Sequence, residues 1–228
     1  MTREPREEAT AMSGLTRRQL LITAGVAAGM SVPLFPGTGH AAPPRRVTPN
    51  GWPVVEAGAL RAYRIEGSNA QLMLLPGPTA GLLLHVCRRF HYEIDALAAG
   101  EAAGHRAPGA VTAGCEVNRF SGTAVALRPG AYPAGVRGGF FPVQLLVVRD
   151  ILAECEGLVR WGGDEAGIPA EGHFQIDVAP GDPRLGRLAD RFGGWRSAPG
   201  RGPGAIEDPL RADRRAAARA LQRRQARN

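Results

Sequence analysis

Two short segments of the chain contain most of the residues whose chemistry is suited to catalysis or ligand binding. Residues 117–127 read V-N-R-F-S-G-T-A-V-A-L, and residues 169–176 read P-A-E-G-H-F-Q-I. The possible metal donors in and around these segments are His105, Cys115, Asp164, Glu171 and His173. A catalytic zinc ion takes three protein ligands from His, Asp, Glu or Cys and keeps a fourth position for water. We therefore expect a metal site only if several of these donors converge in the fold.

The two segments resemble the site motifs of the zinc D-alanyl-D-alanine carboxypeptidases, a family that includes the L-alanyl-D-glutamate endopeptidases of bacterial cell walls. In that family the first motif is similar to S-N-H-x-S-G-T-A-x-D-L, whose His and Asp bind zinc. The second is similar to D/E-x-x-H-F-E, which supplies the general base and a third ligand. The resemblance covers residues 50–192 and includes N-G-W-P-V at 50–54, L-L-L-H-V-C-R-R-F-H-Y-E-I at 82–94 and L-V-R-W-G-G-D at 158–164.

The chain departs from the family pattern at the positions that carry the chemistry. The family's first His falls on Arg119, its Asp on Ala126 and its base on Ala170, so that His173 is the sole ligand retained. A guanidinium group has no lone pair to offer and remains charged at physiological pH. At about 5 Å from a dication and an effective dielectric near 20, the repulsion is roughly 6–7 kcal/mol. We therefore expect no cofactor, with zinc only if displaced donors rebuild a site.

The resemblance implies an exported, metallopeptidase-like protein that has lost zinc and catalysis and binds peptidoglycan stem peptides in the remaining cleft. The planar guanidinium group of Arg119 would supply the positive charge in place of the metal and pair with a peptide carboxylate. The pocket would be lined by Arg119, Ser121, Thr123, Asp164 and His173. An alternative for Arg119 is an internal salt bridge with Glu171 or Asp164 that closes the cleft.

Two other functions remain open at this point. One is an active peptidoglycan D,D-carboxypeptidase or endopeptidase that uses displaced metal ligands. The other is a structural or partner-binding exported domain that no longer uses its cleft. Whether the chain could be an enzyme therefore depends on how the fold arranges the possible metal donors.

The N-terminal residues have the layout of an export signal. T-R-R-Q-L-L at 16–21 is a twin-arginine signature, an apolar stretch follows to Phe35, and G-H-A at 39–41 is suited to cleavage. The apolar stretch is short for a membrane span and contains Pro33 and Pro36, and a retained membrane anchor is the alternative to a cleaved signal. We expect residues 1–41 to be a signal peptide, and the protein to be periplasmic, extracellular or associated with the cell wall.

The basic charge of the chain is concentrated at its C-terminus. Residues 42–192 contain 15 Arg and 15 acidic residues, whereas residues 193–228 contain 9 Arg and 3 acidic residues. The second range reads as a Gly/Pro-rich linker followed by an Arg-rich helix over 209–227. This tail is either a solvated helix or an electrostatic contact with anionic wall polymer or a membrane surface. Nucleic acid is disfavoured by export and by the neutral central domain.

Periodicity over 42–192 predicts one α+β domain, with helices packed on a small, mostly antiparallel sheet. Strands are predicted over 60–65, 71–75, 122–127, 158–161 and 173–178, and helices over 81–98, 142–155 and 182–192. The resemblance implies a D-Ala-D-Ala peptidase-like fold with both motifs on adjacent strands. Cys87 and Cys155 fall on apolar helix faces and are expected to be small buried hydrophobes.

Overall fold

A computed structural model describes residues 46–109, 114–196, 198 and 208–227 of the chain. Its α-helices are α1 (Pro78–Glu93), α2 (Pro142–Glu154), α3 (Pro183–Arg196) and α4 (Ala212–Gln225). Its strands are β1 (Arg61–Arg64), β2 (Gln71–Leu74), β3 (Ala102–Ala103), β4 (Ala124–Leu127), β5 (Val159–Trp161) and β6 (His173–Ile176). The expected signal peptide over 1–41 lies outside the described residues.

The strands form two antiparallel sheets, which confirms the α+β class. β1 and β2 make a two-stranded hairpin, and the other four make a sheet in the order β3-β4-β6-β5. The sequence predicts one sheet, so the separation of the hairpin is a difference from expectation. The hairpin still touches the larger sheet region, because Leu75 donates its N–H to the carbonyl of Gly122 at 2.9 Å.

The two faces of the four-stranded sheet carry different chemistry. Successive side chains of a strand point to opposite faces. One face presents large apolar side chains, which include Val125, Leu127, Phe174 and Ile176. The other presents small and polar side chains, which are Ala124, Ala126, His173 and Gln175. Both faces of β4 and β6 are buried, so the polar face is covered by other parts of the chain.

The apolar core lies between the large-residue face of the sheet and helices α1 and α2. Phe90 of α1 is fully buried and lies 6.1–6.4 Å from the rings of Tyr132, Phe140 and Phe174. Edge-on aromatic contacts at such distances are favourable arrangements of the ring quadrupoles. Cys87 and Cys155 are buried in this core as predicted, and Cys115 is also buried.

The predicted helices and strands occur with shifted bounds, and four elements were not predicted: β3 and the 3-10 segments Ala57–Ala59, Cys115–Ser121 and Gly162–Asp164. α1 begins about one turn earlier than predicted, at Pro78, because proline suits the first turn of a helix where its missing N–H costs little. The short strand β3 and the 3-10 segment Cys115–Ser121 could not be predicted from the sequence, because their apolar residues do not recur at the spacing of a strand or a helix.

The C-terminal helix is docked, so the expectation of a fully solvated tail helix is wrong for one of its faces. Ala218 and Leu221 of α4 are buried against α2. The guanidinium of Arg214 donates two hydrogen bonds, of 2.7 and 2.6 Å, to the carboxylate of Asp150. Gln225 donates to the carbonyl of Val159 at 3.1 Å. Across the described residues, helices long and apolar enough to cross a bilayer are absent.

Candidate functional site

Strands β4 and β6 bring the two sequence motifs side by side. Ala126, at the expected metal-binding Asp position, is the register partner of His173 across the antiparallel pair. Ala170, at the expected base position, accepts the backbone N–H of His173 at 3.0 Å. Ala170 also donates its own N–H to the carbonyl of Gly162 at 2.9 Å. The positions that the sequence singled out therefore meet on the polar face of the sheet.

The 3-10 segment Cys115–Ser121 covers this face and carries Arg119. The segment ends at Gly122, whose φ of +69° is in the left-handed region. A Cβ at this position would also lie 2.8 Å from the backbone nitrogen of Leu75 and 2.7 Å from a methyl carbon of Leu60. Glycine is thus required in S-G-T-A by both conformation and close approach.

A chain of hydrogen bonds fixes the orientation of the polar side chains on this face. The backbone N–H of Asn50 donates to Oδ1 of Asn118 at 3.0 Å, so that Asn118 must offer its NH₂ group elsewhere. That group donates to Oε1 of Gln175 at 2.7 Å. The same oxygen lies 3.0 Å from Nε2 of His173, which must therefore carry the hydrogen. His173 is then left with a bare lone pair on Nδ1.

His173 is a buried, neutral imidazole. It is 1% exposed, and its Nδ1 has no hydrogen-bond partner within the described residues. Burial lowers the pKa of His173 to about 4; the hydrogen bond with Gln175 opposes that shift, and the charge of nearby Arg119 adds to it. A buried polar atom without a partner costs free energy. Nδ1 of His173 is therefore an unused acceptor beside a cation.

Arg119 is a buried cation without a carboxylate partner in the part of the chain that the structure describes. Its Nε donates to the carbonyl of Gly104 at 2.7 Å, and the side chain is 9% exposed. Burial lowers the pKa of Arg119; the charge of Glu116 opposes this shift and that of Arg106 adds to it. A guanidinium keeps its charge even so, so Arg119 makes this part of the site positively charged.

The alternative of an internal salt bridge between Arg119 and Glu171 or Asp164 is wrong, because both carboxylates have other partners. Glu171 accepts the backbone N–H groups of Gly138 and Gly139 at 2.9 and 2.7 Å. Asp164 is exposed and accepts two hydrogen bonds, of 2.5 and 2.6 Å, from Arg149.

Ser121 and Thr123 are both fully buried and belong to the network under the site. Their hydroxyl oxygens lie 2.7 Å apart, and Ser121 donates to the carbonyl of Asn118 at 2.7 Å. Thr123 also accepts a hydrogen bond of 3.0 Å from the side chain of Asn50. The structure thus groups four of the five expected binding residues around the polar face, while Asp164 pairs with Arg149 of α2.

The residues present do not fit a catalytic zinc ion. Nε2 of His105 lies 3.1 Å from the carbonyl of Val55, and the carboxylate of Glu171 is held by backbone N–H groups. Burial raises the pKa of Cys115 to about 12, so the free protein holds it as a thiol. Within residues 46–109, 114–196 and 208–227, His, Cys, Asp and Glu do not form any group of three suited to a metal ion.

Asn50, Gly104, Asn118 and Gln175 complete the site, although the sequence did not mark them as binding residues. Asn50 begins the N-G-W-P-V segment, and Asn118 directly precedes Arg119. Their presence in segments that carry the family resemblance was a usable signal. Gly104 offered no such signal, because it contributes its backbone carbonyl, a group that every residue type has.

Comparisons of the chain with protein-family models, with curated proteins and with solved structures give no match.

Proposed function

We propose that this chain is an exported protein with a D-Ala-D-Ala peptidase-like fold that binds peptidoglycan stem peptides without hydrolysing them through zinc. The observation that carries the proposal is Arg119: a buried guanidinium, without a carboxylate partner among the described residues, at the position of an expected zinc ligand. Burying an uncompensated charge is costly. A ligand that supplies the missing negative charge would remove part of that cost.

The terminal carboxylate of a peptide has the chemistry that the site lacks. A guanidinium and a carboxylate form charge-assisted hydrogen bonds with matching planar geometry. Arg119 uses Nε on Gly104, which leaves its two terminal nitrogens for such a ligand. The neighbouring Nδ1 of His173 is an acceptor, suited to an N–H of the same ligand.

The proposal is tested by calorimetric titration with a stem pentapeptide that ends in D-Ala-D-Ala. We expect binding by the full chain, and about 10- to 150-fold weaker binding by Arg119→Ala, since a hydrogen bond to a charged group is worth roughly 1.5–3 kcal/mol. The same peptide with an amidated C-terminus should bind the unchanged protein as weakly as the free acid binds the variant.

A matched control is Arg106→Ala, which removes an exposed arginine whose charge also acts on Arg119. This variant should retain most of the affinity. If the peptide binds the unchanged protein and Arg119→Ala equally, or binds neither, the proposal fails.

One observation favours a second function, that of a structural or partner-binding exported domain. Ser121, Thr123 and His173 are 0%, 0% and 1% exposed, so these side chains are interior groups in the structure described. A domain that no longer binds ligands would keep such a network for its contribution to folding. Failure of all stem peptides to bind a correctly folded protein would support this function.

A further inference from the structure

A groove of about 120 Å³ lies between α2 and α4, on a surface made by different residues from those around Arg119. Leu146, Pro209 and Ala218 give it apolar walls. Arg215 and Arg219 give it a basic edge. The groove thus combines apolar walls with a positively charged edge.

Exposed apolar side chains lie close in sequence to two residues that line this groove. Val143 and Leu210 are 58% and 55% exposed. Val143 lies one helical turn before Leu146 on α2, and Leu210 directly follows Pro209. Large apolar side chains that extend an apolar groove into solvent mark an interaction surface.

The basic edge is a ridge along α4. Arg211, Arg215, Arg219 and Arg223 recur every four residues and therefore follow one side of the helix. Arg211 pairs with Asp213. Among the described residues, no carboxylate lies within 4.0 Å of the guanidinium groups of Arg215, Arg219 or Arg223. In the part of the chain that the structure describes, three of the four arginines thus have no ion-pair partner.

The helix that presents this ridge is held in place by buried contacts. Arg214 binds the buried carboxylate of Asp150 through two nitrogens. Leu221 is 4% exposed within the core. We name the groove with Val143, Leu210, Arg215 and Arg219 the α2–α4 surface.

We propose that the α2–α4 surface binds the anionic face of a lipid bilayer. Arg215 and Arg219 would contact headgroup phosphates, and Val143 and Leu210 would enter the interfacial region between headgroups and acyl chains. A phosphate-containing polymer would satisfy the arginines equally well but would leave the apolar side chains in water. The combination of charge and exposed apolar surface therefore favours a membrane, and the proposal does not depend on peptide binding at Arg119.

Insertion is tested with an environment-sensitive fluorophore on Val143→Cys in the full chain. The three native cysteines are buried, so the label goes to the introduced thiol. On vesicles of phosphatidylglycerol and phosphatidylcholine we expect a blue shift at position 143. The same label on Met73→Cys, an exposed site on β2, should not shift. Absence of a shift at 143 overturns the proposal even if the chain sediments with the vesicles through its N-terminal segment.

Charge dependence is tested with Arg215→Glu combined with Arg219→Glu. Each arginine near an anionic surface contributes roughly a fivefold gain in affinity, so the double variant should bind the vesicles at least about 25-fold more weakly. Arg61→Glu combined with Arg187→Glu makes the same change in net charge at exposed sites elsewhere. Equal weakening by both pairs would overturn the proposal. Tight binding to soluble polyphosphate without any shift at 143 would also overturn it, in favour of an anionic polymer.

Discussion

Ala126 and His173 are register partners across β4 and β6, so a methyl group faces the ring of a neutral imidazole. The side chains of directly opposite residues lie about 4.5–5.5 Å apart at Cβ. A carboxylate at position 126 would therefore be close enough to share a metal ion with His173. Of these two positions, His173 carries a side chain that can bind a metal ion and Ala126 does not.

Restoring the missing groups should create zinc affinity. We expect the triple variant Arg119→His, Ala126→Asp, Ala170→Asp to bind near-stoichiometric zinc, because it removes the guanidinium and supplies two ligands and a base around His173. Zinc content of the purified protein, before and after a chelator, is the measurement. The control replaces Ala126→Asp with Ala124→Asp, which lies opposite Gln175 instead. Zinc binding by the control but not by the designed variant would contradict the alignment of the site.

Removing the charge of Arg119 should stabilise the fold. Arg119→Met keeps most of the side-chain volume and removes a buried charge that lacks an ion pair in the described residues. Replacing buried charges by apolar groups is often stabilising, and we expect a gain of about 1–2 kcal/mol in the free energy of unfolding, measured in urea.

The matched control for this prediction is Arg89→Met. Arg89 is 3% exposed, against 9% for Arg119, and donates to the carboxylates of Glu93, Asp150 and Glu154. Removing it would take a buried cation away from three carboxylates, of which Asp150 and Glu154 keep Arg214, so we expect a loss of about 3–5 kcal/mol. A loss of similar size for Arg119→Met would show that its charge has a partner that stabilises the fold.

Gly122→Ala should be strongly destabilising. A Cβ at this position needs a left-handed backbone and approaches the backbone nitrogen of Leu75 to 2.8 Å, which is closer than contact allows. We expect a loss of about 2–4 kcal/mol in thermal or urea unfolding. Gly130→Ala is the control, since an added Cβ there meets no atom within 4 Å. Equal tolerance of both substitutions would show that the S-G-T-A turn is less constrained than described.

The contribution of Glu154 on α2 to the free energy of unfolding should depend on pH. Burial raises the pKa of Glu154, but the hydrogen bond with His85 and the charge of Arg89 outweigh it and hold the pKa at about 2, below its usual 4.5. A depressed acid pKa stabilises the fold above pH 4.5, and this stabilisation is lost as the pH falls towards 2. We expect Glu154→Gln to lower the free energy of unfolding by about 3 kcal/mol at pH 6, and by progressively less below pH 4.5.

Two further measurements accompany the pH series. Glu156→Gln is the control, because Glu156 is about half exposed and pairs with Arg191 at the surface; its effect should be under about 1 kcal/mol at every pH. Amide hydrogen exchange in α4 should increase in Glu154→Gln, since Arg214 also contacts this carboxylate. A deficit that stayed constant from pH 6 to pH 2.5 would contradict the assignment of the shift to Glu154.

Much of the fold follows from local pattern, and the departures have identifiable causes. The periods of α2 and of the β1–β2 hairpin predicted these elements within one or two residues. The docking of α4 was missed because its buried face is only Ala218 and Leu221, with Arg214 making the polar contact. An ion pair between residues 64 positions apart has no local signature.

For the candidate site, the sequence alone determined the residue types: a guanidinium at 119 and methyl groups at 126 and 170 neither coordinate a metal nor accept a proton. Only the tertiary structure decided which partners the remaining groups have. Among the described residues, Arg119 has no carboxylate partner. Glu171 accepts hydrogen bonds from the backbone N–H groups of Gly138 and Gly139. The reason is physical: side-chain type is fixed by the sequence, whereas hydrogen-bond and charge partners are set by which distant segments the packing brings within 3 Å.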